Sequence, residues 1–487
     1  MRYSILHISD LHRIKEENID CILSSFAIEK DYYARNGIPP AKLIVVSGDI
    51  VNGSNNEDSM LAKNEIQEQY RVANKFLKGL CELFIGKSEE DLLHVIIVPG
   101  NHDMSRYYSK LSMEQIPSND INALVNALWE ENNNIRWSWK DLKFYKIAKE
   151  EFYNKRFDDF IEFYNNFYSG KRIYPTDLKD QSSLFDYPEL NLSVACFNSC
   201  YHLDHLRFSG YINPHSLSSI TRDLLNRKQN GRLIVAVWHH HTQGLPNENN
   251  YLDYSILDNM VQNGISIALH GHQHISGIIN EYKDVFSEAK LTLISAGTLY
   301  GNSTDLPIGQ TRQYNLLSVN IDSNVANIKL YSREDQSSLN EMPAWSAGTI
   351  GRSTYKEYYF NVDLEKTNGV TKEDKLQKAI NKINLETEST SDFDKAIKDY
   401  VSLGLDSPIV RKMLLGTLQR IKDDKRIIQY FSSPQNLEEA ISVVASCAAL
   451  KDIEDFKRVL NSEFVKSSTD VSLKAIIEDT KIQLKIK

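Results

Sequence analysis

Short apolar runs rich in Val, Ile and Leu recur from the start of the chain to about Tyr331, each followed by Gly, Asn, Asp or His. They occupy residues 3–8, 43–47, 94–98, 192–197, 233–238, 266–269 and 291–295, with longer amphipathic segments between them. Runs of strand length without polar alternation are what strands buried on both faces require. Alternating with helical segments, they predict an α/β fold whose polar residues gather where strands stop.

Between 105 and 188 the pattern turns helical, aromatic and Asn-rich, with Trp129, Trp137, Trp139, Phe144 and Tyr145 among its aromatic residues. It reads as a helical insertion or cap. The spacing of Phe157, Phe160 and Tyr164 favours packing onto the main body over a base-stacking platform. From 332 to 351 the chain becomes polar with Gly, Ser and Pro, so 332–371 is expected to be a linker or extended connection. Helix signals dominate beyond Lys372. Ser407-Pro408 and Ser433-Pro434 each read as an N-cap followed by proline at N1, and Leu437, Ala440, Ile441 and Val444 keep helical spacing. The expected layout is a first domain over 1–331 containing the insertion, and a helical domain of five or six short helices over 372–487.

Composition narrows the function classes. The chain has 487 residues, is 41% hydrophobic and 25% charged, and carries a formal net charge of -9. That length suits two to four domains at roughly 150 residues each. The acidic balance speaks against a generally basic, nucleic-acid-coating surface, while leaving room for a local basic groove. Five cysteines without a C-x-x-C pair fit a reducing compartment. No apolar stretch reaches membrane-spanning length, and the first residues run directly into a strand pattern. The expectation is a cytoplasmic protein with no membrane partner.

Five separated segments place metal-binding side chains directly after an apolar run: Asp10-Leu11-His12, Gly48-Asp49, Gly100-Asn101-His102-Asp103, His239-His240-His241 and Gly271-His272-Gln273-His274. Strand alternation puts Asp10 with His12, and His272 with His274, on one side, so each pair can reach one ion. The glycines before Asp49, Asn101 and His272 suit tight turns close to an ion. Adjacent strand-end residues face opposite ways, so the register of the histidine run is open between His239 and His240. His7, His94 and His270 read as packed or solvated side chains.

The ordered set D-x-H, G-D, G-N-H-D, a histidine run and G-H-x-H resembles the calcineurin-like metallophosphoesterase superfamily, and its bacterial phosphodiesterase branch more than its protein-phosphatase branch. The resemblance covers roughly the first two thirds of the chain. It implies a two-sheet α/β sandwich flanked by helices, here with an inserted helical cap and a C-terminal all-α domain. It implies one ion on Asp10, His12, Asp49 and His274, and a second on Asp49, Asn101, His239 and His272, with Asp49 bridging and His240 held in reserve. His102 would protonate or stabilise the leaving oxygen, Asp103 would orient His102, and Arg106 is a candidate phosphate contact.

Imidazole with carboxylate suits two divalent transition-metal ions, Mn, Fe, Zn or Ni, and the lack of cysteine ligands removes the usual structural-zinc reading. Two such ions sharing a bridging hydroxide would hydrolyse a phosphate ester. The expected substrate is a phosphodiester, nucleotide-like or otherwise small. A nuclease on the same core is the alternative, and a scaffold subunit of a larger assembly is the third reading, disfavoured because no expected ligand is missing. A C-terminal helical domain of this kind commonly serves homo-oligomerisation, a protein partner or substrate gating, and the sequence does not choose among the three.

Overall fold

The computed structural model describes residues 1–12, 14–117, 121–128, 133–177, 180–244, 250–252, 255–283, 290–301, 306–339, 342–351, 353–364, 398 and 408–486. Trp129, Lys372 and Ser407 lie outside these residues. The chain divides into two compact units, Met1–Gln377 and Lys378–Lys487.

In the first unit every one of the seven apolar runs lies on a strand. In chain order the strands are β1 (Arg2–Ile8), β2 (Ala41–Val46), β3 (Val95–Ile97), β4 (Met113–Ile116), β5 (Ile135–Ser138), β6 (Lys143–Ile147), β7 (Ser182–Tyr187) and β8 (Leu192–Phe197). They continue as β9 (Leu233–Val237), β10 (Ile267–His270), β11 (Gly277–Lys283), β12 (Lys290–Ser295), β13 (Gln313–Asp322), β14 (Val325–Asp335), β15 (Trp345–Ala347) and β16 (Glu357–Asp363). A seven-stranded sheet runs β15-β14-β13-β1-β2-β3, with β16 also on β14, and a six-stranded sheet runs β11-β12-β10-β9-β8-β7. The strands β1, β2 and β3 are mutually parallel, as are β8, β9, β10 and β12.

Burial explains why these runs lack polar alternation. Tyr3, Ile5, Leu43, Val45 and Ile96 of the first sheet share a core with Leu192, Val194, Val235, Val237 and Leu269 of the second. The intervening residues Leu6, Ile8, Ile44, Val46 and Ile97 face a second core with Phe26 of helix Ile19–Arg35 and Phe76 of helix Ser59–Phe84. Ala195, Ile234, Ala236 and Ala268 pack against Leu224 of helix Pro214–Gln229 and Leu257 of helix Ser255–Gln262. Each sheet is thus covered on both faces, which makes alternate positions apolar in turn. The architecture is the expected two-sheet sandwich flanked by helices.

Expectations about two segments of the first unit need correction. The 105–188 insertion is mixed: besides helix Asp158–Phe167 it holds a three-stranded antiparallel sheet, β4-β6-β5, and supplies β7 to the second main sheet. The β5 and β6 segments are rich in Ile, Trp, Phe and Tyr, which fit a pleated surface better than a helix. In helix Asp158–Phe167 the packing reading holds, since Phe160, Phe163, Tyr164 and Phe167 are buried and Phe163 stacks on Tyr70 at 4.7 Å. The 332–371 connection holds strands β15 and β16, and Phe360, Val362 and Leu364 enter the inter-sheet core with period two, a signal that the polar residues between them mask.

In the second unit the described residues form six helices: Pro408–Arg420, Asp424–Phe431, Leu437–Leu450, Ile453–Leu460, Glu463–Ser467 and Val471–Leu484. Ser433 is not the cap of the third. Asn436 caps it, its side chain accepting from the Glu439 N–H at 3.0 Å, so Pro434 stands before the helix. Asx residues cap three more: Asp423, Asp452 and Asp470. A buried Arg411–Glu439 pair with N–O distances of 2.9 and 2.7 Å fastens the first helix to the third.

Candidate metal centre

Asp10, Asp49, Asn101, His239 and His272 each follow the carboxyl end of a parallel strand, where α/β sheets present their ligands. The ends are tied together by the backbone. Asp10 N–H donates to the Gly48 carbonyl at 3.1 Å and Leu11 N–H to the Asp49 carbonyl at 2.8 Å. Asp10, Asp49, His272 and His274 have φ of 55°, 53°, 77° and 58°, in the left-handed region. Strain of this kind costs about 1–3 kcal/mol per residue and persists where surrounding structure fixes it, often at functional sites. Gly100 is demanded by proximity, because a Cβ there would overlap the backbone N and the carboxylate of Asp49.

Two groups of side chains converge and share Asp49. In the first, one donor atom each from Asp10, His12, Asp49 and His274 lie within 4.8 Å of one another. His274 Nε2 is 3.1 Å from Asp10 Oδ1. His12 is buried, yet neither of its ring nitrogens has a hydrogen-bond partner. A buried polar atom left unmatched costs stability unless something not present in the chain itself satisfies it. In the second group, Asn101 Oδ1 lies 2.9 Å from both His239 Nε2 and His272 Nδ1, and those two nitrogens are 3.3 Å apart. His272 and His274, expected to reach one ion as a pair, therefore fall in different groups, because both lie past the strand end with positive φ and strand alternation does not hold there. Asp49 Oδ2 stands 3.4 Å from His239 Nε2. The mixed oxygen and imidazole donors fit a divalent transition metal.

The titration of these groups agrees with that fit. Burial lowers His12 to about 4 against the pull of Asp49 and Asp10, and burial with His239 nearby lowers His272 to about 3. Both rings are therefore neutral and have lone pairs to offer at neutral pH. For His239 burial is outweighed by Asp49, which raises the ring to about 9. A cation there would have to displace a proton. Its Nδ1 donates to the Ser47 carbonyl at 2.8 Å, which leaves Nε2 facing the cluster.

The histidine run turns two ways. His239 points into the cluster, whereas His240 Nδ1 bonds Ser199 Oγ at 2.8 Å outside it. Ser199, following β8, also accepts from the N–H groups of His239 and His240, which holds the backbone of the histidine run. His7 and His270 are buried, His7 Nε2 bonding Ser47 Oγ at 3.0 Å, and His94 sits 3.7 Å from Glu189. None of the three joins the cluster.

His102 lies at the rim, its ring stacked on His12 with centroids 5.1 Å apart, and its Nε2 is 3.9 Å from Asp49 Oδ2. The expectation that Asp103 orients it is overturned. His102 Nδ1 donates to the Asn52 carbonyl at 3.1 Å, while Asp103 turns inward and accepts from Gly100 N–H at 2.8 Å, Ile50 N–H at 3.2 Å and Tyr70 Oη at 3.0 Å. Neighbours on the single 3-10 turn Asn101–Asp103 cannot face the same way. Burial, then the charge of Asp49, pushes the Asp103 carboxyl up to about 7. A cation on Asp49 would offset the second cause. Arg106 opens helix Arg106–Leu111 half-buried, its guanidinium on Asn55 Oδ1 at 2.7 Å.

Sequence reasoning missed the partners that aim the histidines, Ser47 and Asn52, because they act through backbone carbonyls that leave no mark in residue type. It also missed a cleft of about 690 Å³ that includes Asn101 and Arg106 in its lining and is walled by Trp137, Trp139 and Tyr145.

A profile of calcineurin-like phosphoesterases matches residues 3–276, which contain all the strand-end residues above. The chain belongs to the calcineurin-like phosphoesterase family. No curated protein sequence matches it. Solved structures similar to this family member include a purple acid phosphatase from yellow lupin, at 10% identity and TM-score 0.39, covering 74% of this chain and 54% of that one. This chain therefore spans about half the length of the lupin enzyme. A dimetal phosphatase from Danio rerio is similar at 11% identity and TM-score 0.37, covering 68% of this chain and 96% of that one. GAP50, described as the anchor in the inner membrane complex of Plasmodium, is similar at 11% identity and TM-score 0.32, covering 83% and 95%. At these scores the likenesses add no argument about what this family member does. Among the described residues no helix is long and apolar enough to cross a membrane.

Proposed function

We propose that the chain is a dinuclear metal-dependent phosphodiesterase. The observation that carries this reading is the sharing of Asp49 by two converging donor groups. Asp10, His12, Asp49 and His274 would hold one divalent ion, and Asp49, Asn101, His239 and His272 the other. Two such ions supply Lewis acidity toward the phosphoryl oxygens and acidify an attacking water.

The chain's own residues do the rest. The Ser47 carbonyl fixes the tautomer of His239, and the Asn52 carbonyl fixes that of His102, so that any proton His102 delivers to a leaving oxygen comes from Nε2. Arg106 lines the cleft together with Asn101 and would meet a phosphate oxygen there. That cleft supports a diester over a monoester, since it leaves room for a second ester substituent beside the donors and carries charges of both signs in place of a cage of cations for a dianion. The net charge of -9 fits a small substrate better than duplex nucleic acid.

The test is hydrolysis of bis-p-nitrophenyl phosphate, p-nitrophenyl phosphate, and single- and double-stranded DNA after chelation and re-addition of Mn, Ni, Zn or Mg. Chelation should abolish diester cleavage and Mn or a similar transition metal should restore it. Full activity in metal-free protein overturns the mechanism, and DNA cleavage exceeding that of the small diester favours a nuclease.

A further inference from the structure

Two tryptophans, Trp137 and Trp139, line the same cleft as Asn101 of the candidate metal centre. Trp139 is 83% exposed, although tryptophan is highly buried on average. It stands at the turn between β5 and β6, with its ring centroid 5.9 Å from that of Trp137 at an interplanar angle of 89°. Trp137 is in turn braced by Phe144 across the strand pair, centroids 4.7 Å apart. Both tryptophans line the cleft that also includes Asn101, Arg106 and Lys110, and Phe208, 56% exposed, lines it as well.

Charge adds a second element. Arg106, Lys110 and Lys140 all line the cleft. Of the three carboxylates there, Asp204 is buried and paired with Arg136, Asp141 accepts from Ser138 Oγ at 2.9 Å and Tyr145 Oη at 3.3 Å, and Glu57 is exposed to solvent. The cleft thus offers a phosphate-binding edge next to the candidate ligands and, in the same lining, flat π surface. Its volume of about 690 Å³ is that of a small-molecule site.

Resting on the phosphodiesterase reading above, we infer that Trp139, braced by Trp137, is a specificity-determining residue that stacks on the nucleobase of a small nucleotide diester whose phosphate meets Arg106 and the metal centre. An aromatic face and a base stack regardless of the base's hydrogen-bonding pattern, so the selection is for the presence of a base more than for its identity. Arg106 recognises the phosphate common to any diester and contributes no such selection.

The experiment compares thymidine 5′-(p-nitrophenyl phosphate) with ethyl p-nitrophenyl phosphate in the full chain loaded with Mn. The two share a leaving group and differ in the other ester substituent, a thymidine with its sugar and base against an ethyl group, so the share of the base is read from the change that Trp139→Ala makes. The wild type should prefer the thymidine diester in kcat/KM, and Trp139→Ala should lower that preference about 5- to 100-fold, the range expected for loss of one base–aromatic stack. Trp139→Phe should restore most of it, and Arg106→Ala should lower kcat/KM on both diesters alike. Loss on both diesters alike in Trp139→Ala, or a wild type that cleaves both equally well, overturns the inference while leaving the phosphodiesterase reading in place. A wild type that cleaves neither diester with any metal overturns that reading and this inference with it.

Discussion

The strand-end cradle and the cleft wall beside it are built on opposite principles. In the cradle Asp10 and Asp49 are 0% and 1% exposed, four residues sit in the left-handed region, and Gly100 leaves no room for a side chain. In the wall, β5 and β6 meet at a turn that leaves Trp139 83% exposed. The cradle is held by the two sheets that make the core, so its geometry cannot change without the fold changing. The wall hangs on a small antiparallel sheet that can vary its aromatic residues at little cost, since surface substitutions usually stay within about 0.5 kcal/mol. Under the proposed phosphodiesterase reading, chemistry would lie in the rigid part and substrate choice in the adaptable one.

The sharpest way to break this comparison is Asp49→Asn. Asn tolerates the left-handed backbone that Asp49 adopts, with φ of 53°, so the substitution removes the charge and spares the conformation. Both donor groups lose their shared carboxylate. Diester hydrolysis should fall by more than about 10³-fold, beyond the 10–100-fold typical of losing a partner that merely supports a ligand, with metal content reduced at both positions. A protein that keeps two ions and most of its activity would show that Asp49 is not shared.

His102→Ala tests the rim of the cradle, with a smaller effect. His102 has no place in the first donor group, and its Nδ1 is anchored to the Asn52 carbonyl. Turnover should fall about 10²–10⁴-fold with metal content unchanged, the usual contribution of a positioned general acid. Stoichiometric loss of a metal in this variant would make His102 a ligand.

What the sequence disclosed follows the same division. The donors were legible because buried parallel strands produce unbroken apolar runs, and the residue after each run is constrained to the sheet's carboxyl edge. Asp10, His12, Asp49, Asn101, His239, His272 and His274 all come together there. The wall was hidden because Trp137, Phe144 and Tyr145 are compatible with a helical and a strand period alike over so short a stretch. The aim of Asp103 was hidden too, since it depends on a 3-10 turn and on Tyr70, which lies on the distant helix Ser59–Phe84. The strand β16 was missed for a related reason: only Phe360 and Val362 of its residues are buried, with Asn361 between them, and so short an alternation does not stand out from the polar 332–351 stretch before it.

That last strand decides where the chain can be cut, and with it the smallest effect to be expected. Ser332 lies inside β14, whose neighbours β13, β15 and β16 all belong to the first main sheet. A fragment ending there would remove two strands and expose Ile328 and Leu330, which are now buried with Phe360 and Val362 in the inter-sheet core, and aggregation is the expected result. A fragment ending at Gln377 keeps the whole first unit, including every residue from Asp10 to His274 that the metal centre uses. It should bind metal in the same stoichiometry and cleave bis-p-nitrophenyl phosphate at a rate within about threefold of the full chain, because compact domains with their own core fold independently. Metal analysis, sedimentation and diester hydrolysis on the two proteins side by side measure this. A soluble, folded fragment that binds no metal would place part of the donor set beyond Gln377, and the confinement of the chemistry to the two sheets would fail.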